Sequence, residues 1–202
     1  MNPQDNSSQD KRQSCLFVIS APSGTGKSTL CKAVRNHFPD MLYSISFTTR
    51  KPRSGEQNGI DYHFVAKEDF IERIKLDKWA EWAEVHGNYY GTSADFINAG
   101  LSSGRDILLD IDVQGTEKIL KRYPDCIPIF IMPPSLEALK QRLKNRGTES
   151  SDEIKRRLKA AEAEIAKKHV YRHIIINDRL TEAEHELIAL LDSYRLTQTK
   201  KP

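Results

Sequence analysis

Cys15-Leu16-Phe17-Val18-Ile19-Ser20-Ala21-Pro22-Ser23-Gly24-Thr25-Gly26-Lys27-Ser28-Thr29-Leu30 decides the fold. An apolar run of strand length empties into a loop bearing two glycines. The loop in turn opens a segment where Leu30, Ala33, Val34, His37 and Phe38 recur at helical spacing before Pro39. Gly26-Lys27-Ser28 closes a Walker pattern, with Ala21 standing where that pattern has its first glycine. The pattern acquires physical meaning from its context. Between a strand and a helix, successive backbone N–H groups and the positive end of the helix can converge on phosphate oxygens. Ala21, Pro22, Ser23, Gly24, Thr25, Gly26, Lys27, Ser28 and Thr29 are therefore the expected phosphate cradle, with Lys27 on the β- and γ-phosphates and the Ser28 hydroxyl on Mg²⁺. An ordinary glycine-rich turn needs neither the lysine nor the hydroxyl behind it.

Composition narrows the class. The chain of 202 residues fits one domain with room for small inserted lobes. A formal charge of +3 argues against a dedicated nucleic-acid or membrane-surface binder. Cys15, Cys31 and Cys126 are odd in number and too far apart for a CxxC metal site, which speaks against a disulfide framework and for a reducing, cytoplasmic compartment. No apolar stretch has the length of a transmembrane helix, and residues 1–13 are polar and read as a mobile tail.

Three further apolar runs, Asp106–Ile111, Cys126–Met132 and His173–Ile176, are each followed by a helical pattern, an alternation that predicts an α/β fold with a mostly parallel sheet and helices on both faces. Two regions break the alternation. From Tyr43 to Thr92 the chain reads as short strands and turns around a helix from Glu68 to Leu76: a small β-rich lobe inserted in the core. From Ser135 to Lys168 it reads as a charged helical lid, interrupted at Gly147-Thr148. The core is then 14–42, 93–134 and 169–202.

Several clusters can carry chemistry. Ile107-Leu108-Leu109-Asp110-Ile111-Asp112 ends an apolar strand in two acids that share a face at period two, as a strand does when it brings a carboxylate beside Mg²⁺ and phosphates; the plainer reading is an aspartate capping the next turn. Arg50 and Arg53 flank Pro52 and suit bidentate phosphate binding, although a solvated basic turn would look the same. Glu81 to Thr92 combines a carboxylate, two tyrosines and a hydroxyl, a set able to hold a planar base and its phosphate, while Trp79 and Trp82 read as packing residues. Arg142, Arg146, Arg156 and Arg157 form a third basic cluster, either a solvated helix face or mobile cations that close over a phosphoryl group.

Taken in order, SAPSGTGKSTL, SFTTRKPRSGEQNGIDYHF, EWAEVHGNYYGTS, ILLDIDVQG, RLKNRGTES and IINDRL resemble the guanylate kinase family from about Leu16 to the last helix. The resemblance implies a P-loop NTPase-type fold, ATP and GMP (with dGMP) as partners, Mg²⁺ carried as MgATP, and a role in purine nucleotide metabolism and GMP recycling. It also assigns roles. Arg50, Arg53, Tyr62 and Tyr90 would hold the GMP phosphate, with Glu56 organising the arginine loop; Ser46, Glu81, Thr92 and Asp110 would lie against guanine. Arg142, Arg146 and Arg157 would clamp the transferring group beside Lys27 and Arg53, Asn177 would contact adenine, and Asp112 would lie near Mg²⁺ and its waters.

Other classes predict different features. A binding module that has lost catalysis has no need of an intact phosphate loop or lid arginines, a nucleic-acid binder would carry a larger positive balance, and a kinase for another monophosphate would lack the acidic pair Glu81 and Asp110. The sequence leaves monomer or homo-oligomer open.

Overall fold

The computed structural model describes residues 13–145 and 150–197. The N-terminal segment read as a tail, apart from Gln13, lies outside the described residues, as do Arg146 and the Gly147-Thr148 interruption.

The opening apolar run forms β1 (Leu16–Ser20), and the loop after it ends in α1 (Lys27–His37). Phe17 and Ile19 face one side of the sheet while Leu16 and Val18 face the other, and each side is covered by its own cluster of apolar residues. That is why the run shows no polar alternation: a strand buried on both faces has no solvent side to mark. The chain continues through β2 (Leu42–Tyr43), β3 (Phe47–Thr48), β4 (His63–Phe64), α2 (Lys67–Lys75), β5 (Trp79–Val85), β6 (Asn88–Ser93) and α3 (Ala94–Ser102). It then runs through β7 (Ile107–Asp110), α4 (Val113–Arg122), β8 (Ile127–Met132), α5 (Leu136–Asn145), α6 (Ser151–Ala166), β9 (His173–Ile176) and α7 (Leu180–Thr197).

The larger sheet is parallel throughout, in the order β2-β7-β1-β8-β9. With α1 and α7 packed on one face and α3 and α4 on the other, it is doubly wound, and the strand order turns around at β1. Such a sheet offers its ligand crevice beyond the carboxyl ends of the strands at the reversal point. The phosphate loop follows β1, and Asp110, in register with Ile19, ends the neighbouring β7. Tyr43, the first residue of the lobe in the sequence reading, lies in β2 of this sheet, beside Leu108.

The second sheet has the order β4-β3-β6-β5. β5 and β6 form a hairpin whose two turn residues, His86 and Gly87, both take positive φ (51° and 76°), as a two-residue turn of primed type requires. Trp79 is buried against Phe70 of α2, ring on ring at 4.2 Å, and its indole N–H donates to the Phe70 carbonyl at 3.2 Å. Both observations agree with a packing role. The α5 and α6 helices bury Leu139, Leu143, Ile154 and Ala161 against one another.

Candidate active site

Lys27 is the first residue of α1, preceded by Gly24 and Gly26 with φ of +93° and +99°. Those two left-handed residues curl the loop, which closes on itself through the Thr25 N–H to Pro22 carbonyl bond at 3.2 Å. A Cβ on Gly24 would stand 2.8 Å from Leu143 Cδ2, so α5 packs directly on the loop.

From this position the Lys27 ammonium turns to the end of β7. Its Nζ lies 2.5 Å from Asp110 Oδ1 and donates to the Ile111 carbonyl at 3.2 Å. Burial alone would lower the Lys27 pKa; the charge and hydrogen bond of Asp110 more than offset this and hold it above its ordinary value. The Tyr43 hydroxyl reaches the other oxygen of Asp110 at 3.4 Å, and burial, then the Asp110 charge, push the phenol up.

The strand reading of the two acids changes in one respect. β7 ends at Asp110, and Asp112 is the N-cap of α4, its Oδ1 accepting from the Gly115 N–H at 2.7 Å. Capping and cleft duties combine here, because Asp112 also lines the cavity that Asp110 lines.

That cavity, about 300 Å³, brings together Lys27, Ser46, Tyr62, Glu81, Tyr90, Asp110 and Asp112, with Ala83, Val85, Gly91 and Ile111 completing the wall. Glu81 and Thr92 are cross-strand partners on β5 and β6, and the Thr92 hydroxyl donates to Glu81 Oε1 at 2.7 Å. Glu81 is almost fully buried, which pushes its carboxyl up to about 7; Asp112 adds to the shift, while the Thr92 hydrogen bond and the Lys118 charge oppose it. The rings of Tyr62 and Tyr90 stand edge to face at 6.0 Å.

Arg50 lies beside the cavity, its guanidinium fork bound by both oxygens of Glu56 at 2.9 Å. Glu56 Oε2 also accepts from the Arg53 backbone N–H at 2.7 Å, so one carboxylate ties both ends of the arginine loop. The hydrogen bonds from Arg50 and from the Arg53 backbone hold the Glu56 carboxyl below its ordinary value, and Glu56 in turn raises Arg50. Arg53 itself is exposed.

The lid residues divide. Arg157 of α6 donates to the Ser23 hydroxyl of the phosphate loop at 3.2 Å, whereas Arg142 of α5 donates to the Asp178 carbonyl at 3.1 Å. Asn177 does not stand open to the cleft: its side-chain Nδ2 donates to the Thr25 carbonyl at 2.7 Å. Ser28 is exposed at the start of α1. One hydroxyl at the loop and one cleft carboxylate suit Mg²⁺, which keeps several waters and shares itself between phosphates and one or two carboxylates. An all-protein cage would look different, and among the described residues no group of three or more His, Cys, Asp or Glu could hold a metal.

Sequence reasoning missed Tyr43, whose hydroxyl acts on Asp110 from a neighbouring strand, and the apolar walls Ala83 and Val85. The alternation along β5 could have exposed the second pair, because Glu81, Ala83 and Val85 share a face at period two.

Comparison with known proteins agrees with this geometry. A family model described as guanylate kinase matches residues 13–194. The guanylate kinase of Geobacter metallireducens is 45% identical over 185 residues, 92% of this chain and 91% of that protein. That of Dechloromonas aromatica is 48% identical over 176 residues, 87% of each. The crystal structure of guanylate kinase from Anaplasma phagocytophilum superposes with a TM-score of 0.72 at 32% identity, covering 92% of this chain and 88% of that one.

Proposed function

The chain belongs to the guanylate kinase family, and on that premise we infer that it transfers the γ-phosphoryl group of ATP to GMP, and to dGMP, giving ADP and GDP. The observation that carries the reading is one cavity with a phosphate-loop lysine on one wall and a buried carboxylate, Glu81, on another. Guanine offers N1–H and an N2 amine, two donors that a carboxylate accepts together. Adenine has no such pair and would leave Glu81 buried without a partner, which rejects it strongly.

The acceptor half is the lobe of residues 43–92. Glu81, held by Thr92, takes the guanine edge together with Ser46 and Asp110, and the acceptor phosphate goes to Arg50, Arg53, Tyr62 and Tyr90. Glu56 pre-orients the arginine loop, so little ordering remains to be done when the phosphate arrives. The donor half is the loop Ala21–Thr29, where backbone N–H groups cradle phosphates and Lys27 leaves Asp110 for the β- and γ-oxygens.

A phosphate monoester has a second pKa of about 6, so the acceptor is already a nucleophile at neutral pH and needs no general base. Catalysis then consists of positioning and charge neutralisation. Ser28, and Asp112 through water, would hold Mg²⁺ carried with ATP, and the ion would supply further charge neutralisation at the phosphates. The segment 135–168 acts as a lid that brings Arg142, Arg146 and Arg157 onto the transferring group; Arg157 already touches Ser23 of the phosphate loop. Nucleotides, rather than nucleic acid or membrane, are the partners, and the cytoplasm is the place of action. Among the described residues no helix is long and apolar enough to cross a membrane.

The direct test is ³¹P NMR of the chain with MgATP and GMP. Equal growth of the GDP and ADP β-phosphorus signals supports the reading; ADP with inorganic phosphate and no GDP contradicts it.

A further inference from the structure

We propose that Asn177 is a positioning residue of the phosphate loop: by holding the Thr25 carbonyl it aims the Gly26 N–H at the donor phosphates. The proposal deepens the donor-site reading above and rests on it.

Asn177 follows the last residue of β9 and is 4% exposed. Its backbone belongs to the sheet, the N–H donating to the Met132 carbonyl at 2.8 Å. The sheet end therefore presents an amide whose Nδ2 meets the Thr25 carbonyl at 2.7 Å, 152 positions away in sequence. The fit is tight, since a Cβ placed on Gly26 would come 2.5 Å from that Nδ2.

Thr25 O and Gly26 N–H belong to one peptide unit. In a trans peptide the two point in opposite directions, so fixing the carbonyl fixes the N–H. With the Thr25 carbonyl turned to Asn177, the Gly26 N–H is directed away from Asn177. The loop has no local substitute for this restraint. Gly24 and Gly26, both at positive φ, are the most conformationally permissive residues in it, and Thr25 is fully buried with its hydroxyl lacking a partner among the described residues. A carbonyl released there would be a buried acceptor deprived of its donor, and the peptide would rotate to seek another. The next residue extends the same tie: Asp178 O accepts from Arg142 of α5, so the residues that hold the loop also hold the root of the lid.

An adenine contact and a loop restraint predict different losses. The test uses the full chain, wild type against Asn177→Ala and the same-sized Asn177→Asp. Calorimetry measures binding of Mg²⁺-inorganic tripolyphosphate, MgATP and MgUTP, and ¹H–¹⁵N spectra are recorded without ligand. We expect both variants to weaken all three ligands. For Asn177→Ala the common factor is on the order of tenfold, the effect of one lost buried hydrogen bond. The ligand-free Gly26 amide resonance should move, while those of Gly55 and Gly104, which have open surroundings, stay in place.

Wild-type affinity for tripolyphosphate in both variants, with the loss confined to ATP relative to UTP, would overturn the proposal in favour of a base contact. A lowered melting temperature with tripolyphosphate affinity and the Gly26 resonance unchanged would overturn it in favour of a purely structural tie. A wild-type chain that binds GMP but neither ATP nor tripolyphosphate would instead bring down the donor-site reading, and this proposal with it.

Discussion

Lys27 Nζ lies 2.5 Å from Asp110 Oδ1, so the ammonium suited to the donor phosphates is held by a carboxylate suited to the acceptor base. While the pair is closed, the ammonium is held at the end of β7 and one oxygen of Asp110 is engaged by a full positive charge. On the proposed assignments, donor binding would draw Lys27 away and release Asp110 to accept from guanine, which would couple the two halves of the site. GMP should bind several-fold more tightly in the presence of an unreactive ATP analogue than without it, and Asp110→Asn should remove most of that difference. Equal GMP affinity with and without the analogue in the wild type contradicts the coupling. In turnover, Lys27→Ala should reduce kcat by about a hundredfold or more, whereas Asp110→Asn should act mainly on KM for GMP. Equal loss of kcat with KM unchanged in both variants would count against the division of labour.

Glu81 should make base recognition pH-dependent. Its carboxyl stands at about 7 rather than the ordinary 4.5, chiefly through burial. A raised acid binds its proton more tightly folded than unfolded, so between about 4.5 and about 7 the fold loses stability as pH rises, and above about 7 the full penalty persists. Guanine binding has the opposite sign, since the donors of the base require the ionised form. Guanosine, which carries no titrating phosphate, should bind more tightly as pH rises towards about 7, by at most about tenfold per unit, and then level off. Glu81→Gln should bind weakly and show no such slope. Identical pH profiles for wild type and variant would reject Glu81 as the group.

Much of this was legible in the chain itself. β1, β7 and β8 are continuous apolar runs because both faces of the parallel sheet are covered, whereas β9, at the sheet edge, is apolar although Ile174 and Ile176 are exposed; the phosphate loop is marked by glycines that its positive φ values demand. The pairing of Glu81 with Thr92 is local to one hairpin and so leaves a mark in sequence. Other relationships have no local signature. β2 is two residues long and exists by pairing with β7, so Tyr43 reads as the start of a lobe when its hydroxyl in fact meets Asp110. The bond from Asn177 to Thr25 joins segments brought together only by the order of strands in the sheet. Asp112 stands two residues beyond the end of β7, where it serves as the N-cap of α4.

Glu56 should matter without touching the reaction. It grips Arg50 through both oxygens and the Arg53 backbone through one of them. Glu56→Gln keeps the size and loses the charge that arrests the guanidinium. KM for GMP should rise by about tenfold, the effect of one misplaced charge-assisted contact, with KM for ATP unchanged. An equal rise in both would place Glu56 in general stability rather than in the acceptor half.

If Glu81 and Asp110 define the acceptor that Lys27 serves, the chain should phosphorylate a guanine nucleotide and discriminate against the others. A coupled ADP-release assay with MgATP against GMP, AMP, CMP and UMP measures that discrimination most directly. Turnover is expected with GMP, with a kcat/KM for AMP lower by at least about a thousandfold, as follows when a buried hydrogen-bonding group is left without its partner. Comparable kcat/KM for AMP and GMP would contradict the assignment of Glu81 and Asp110.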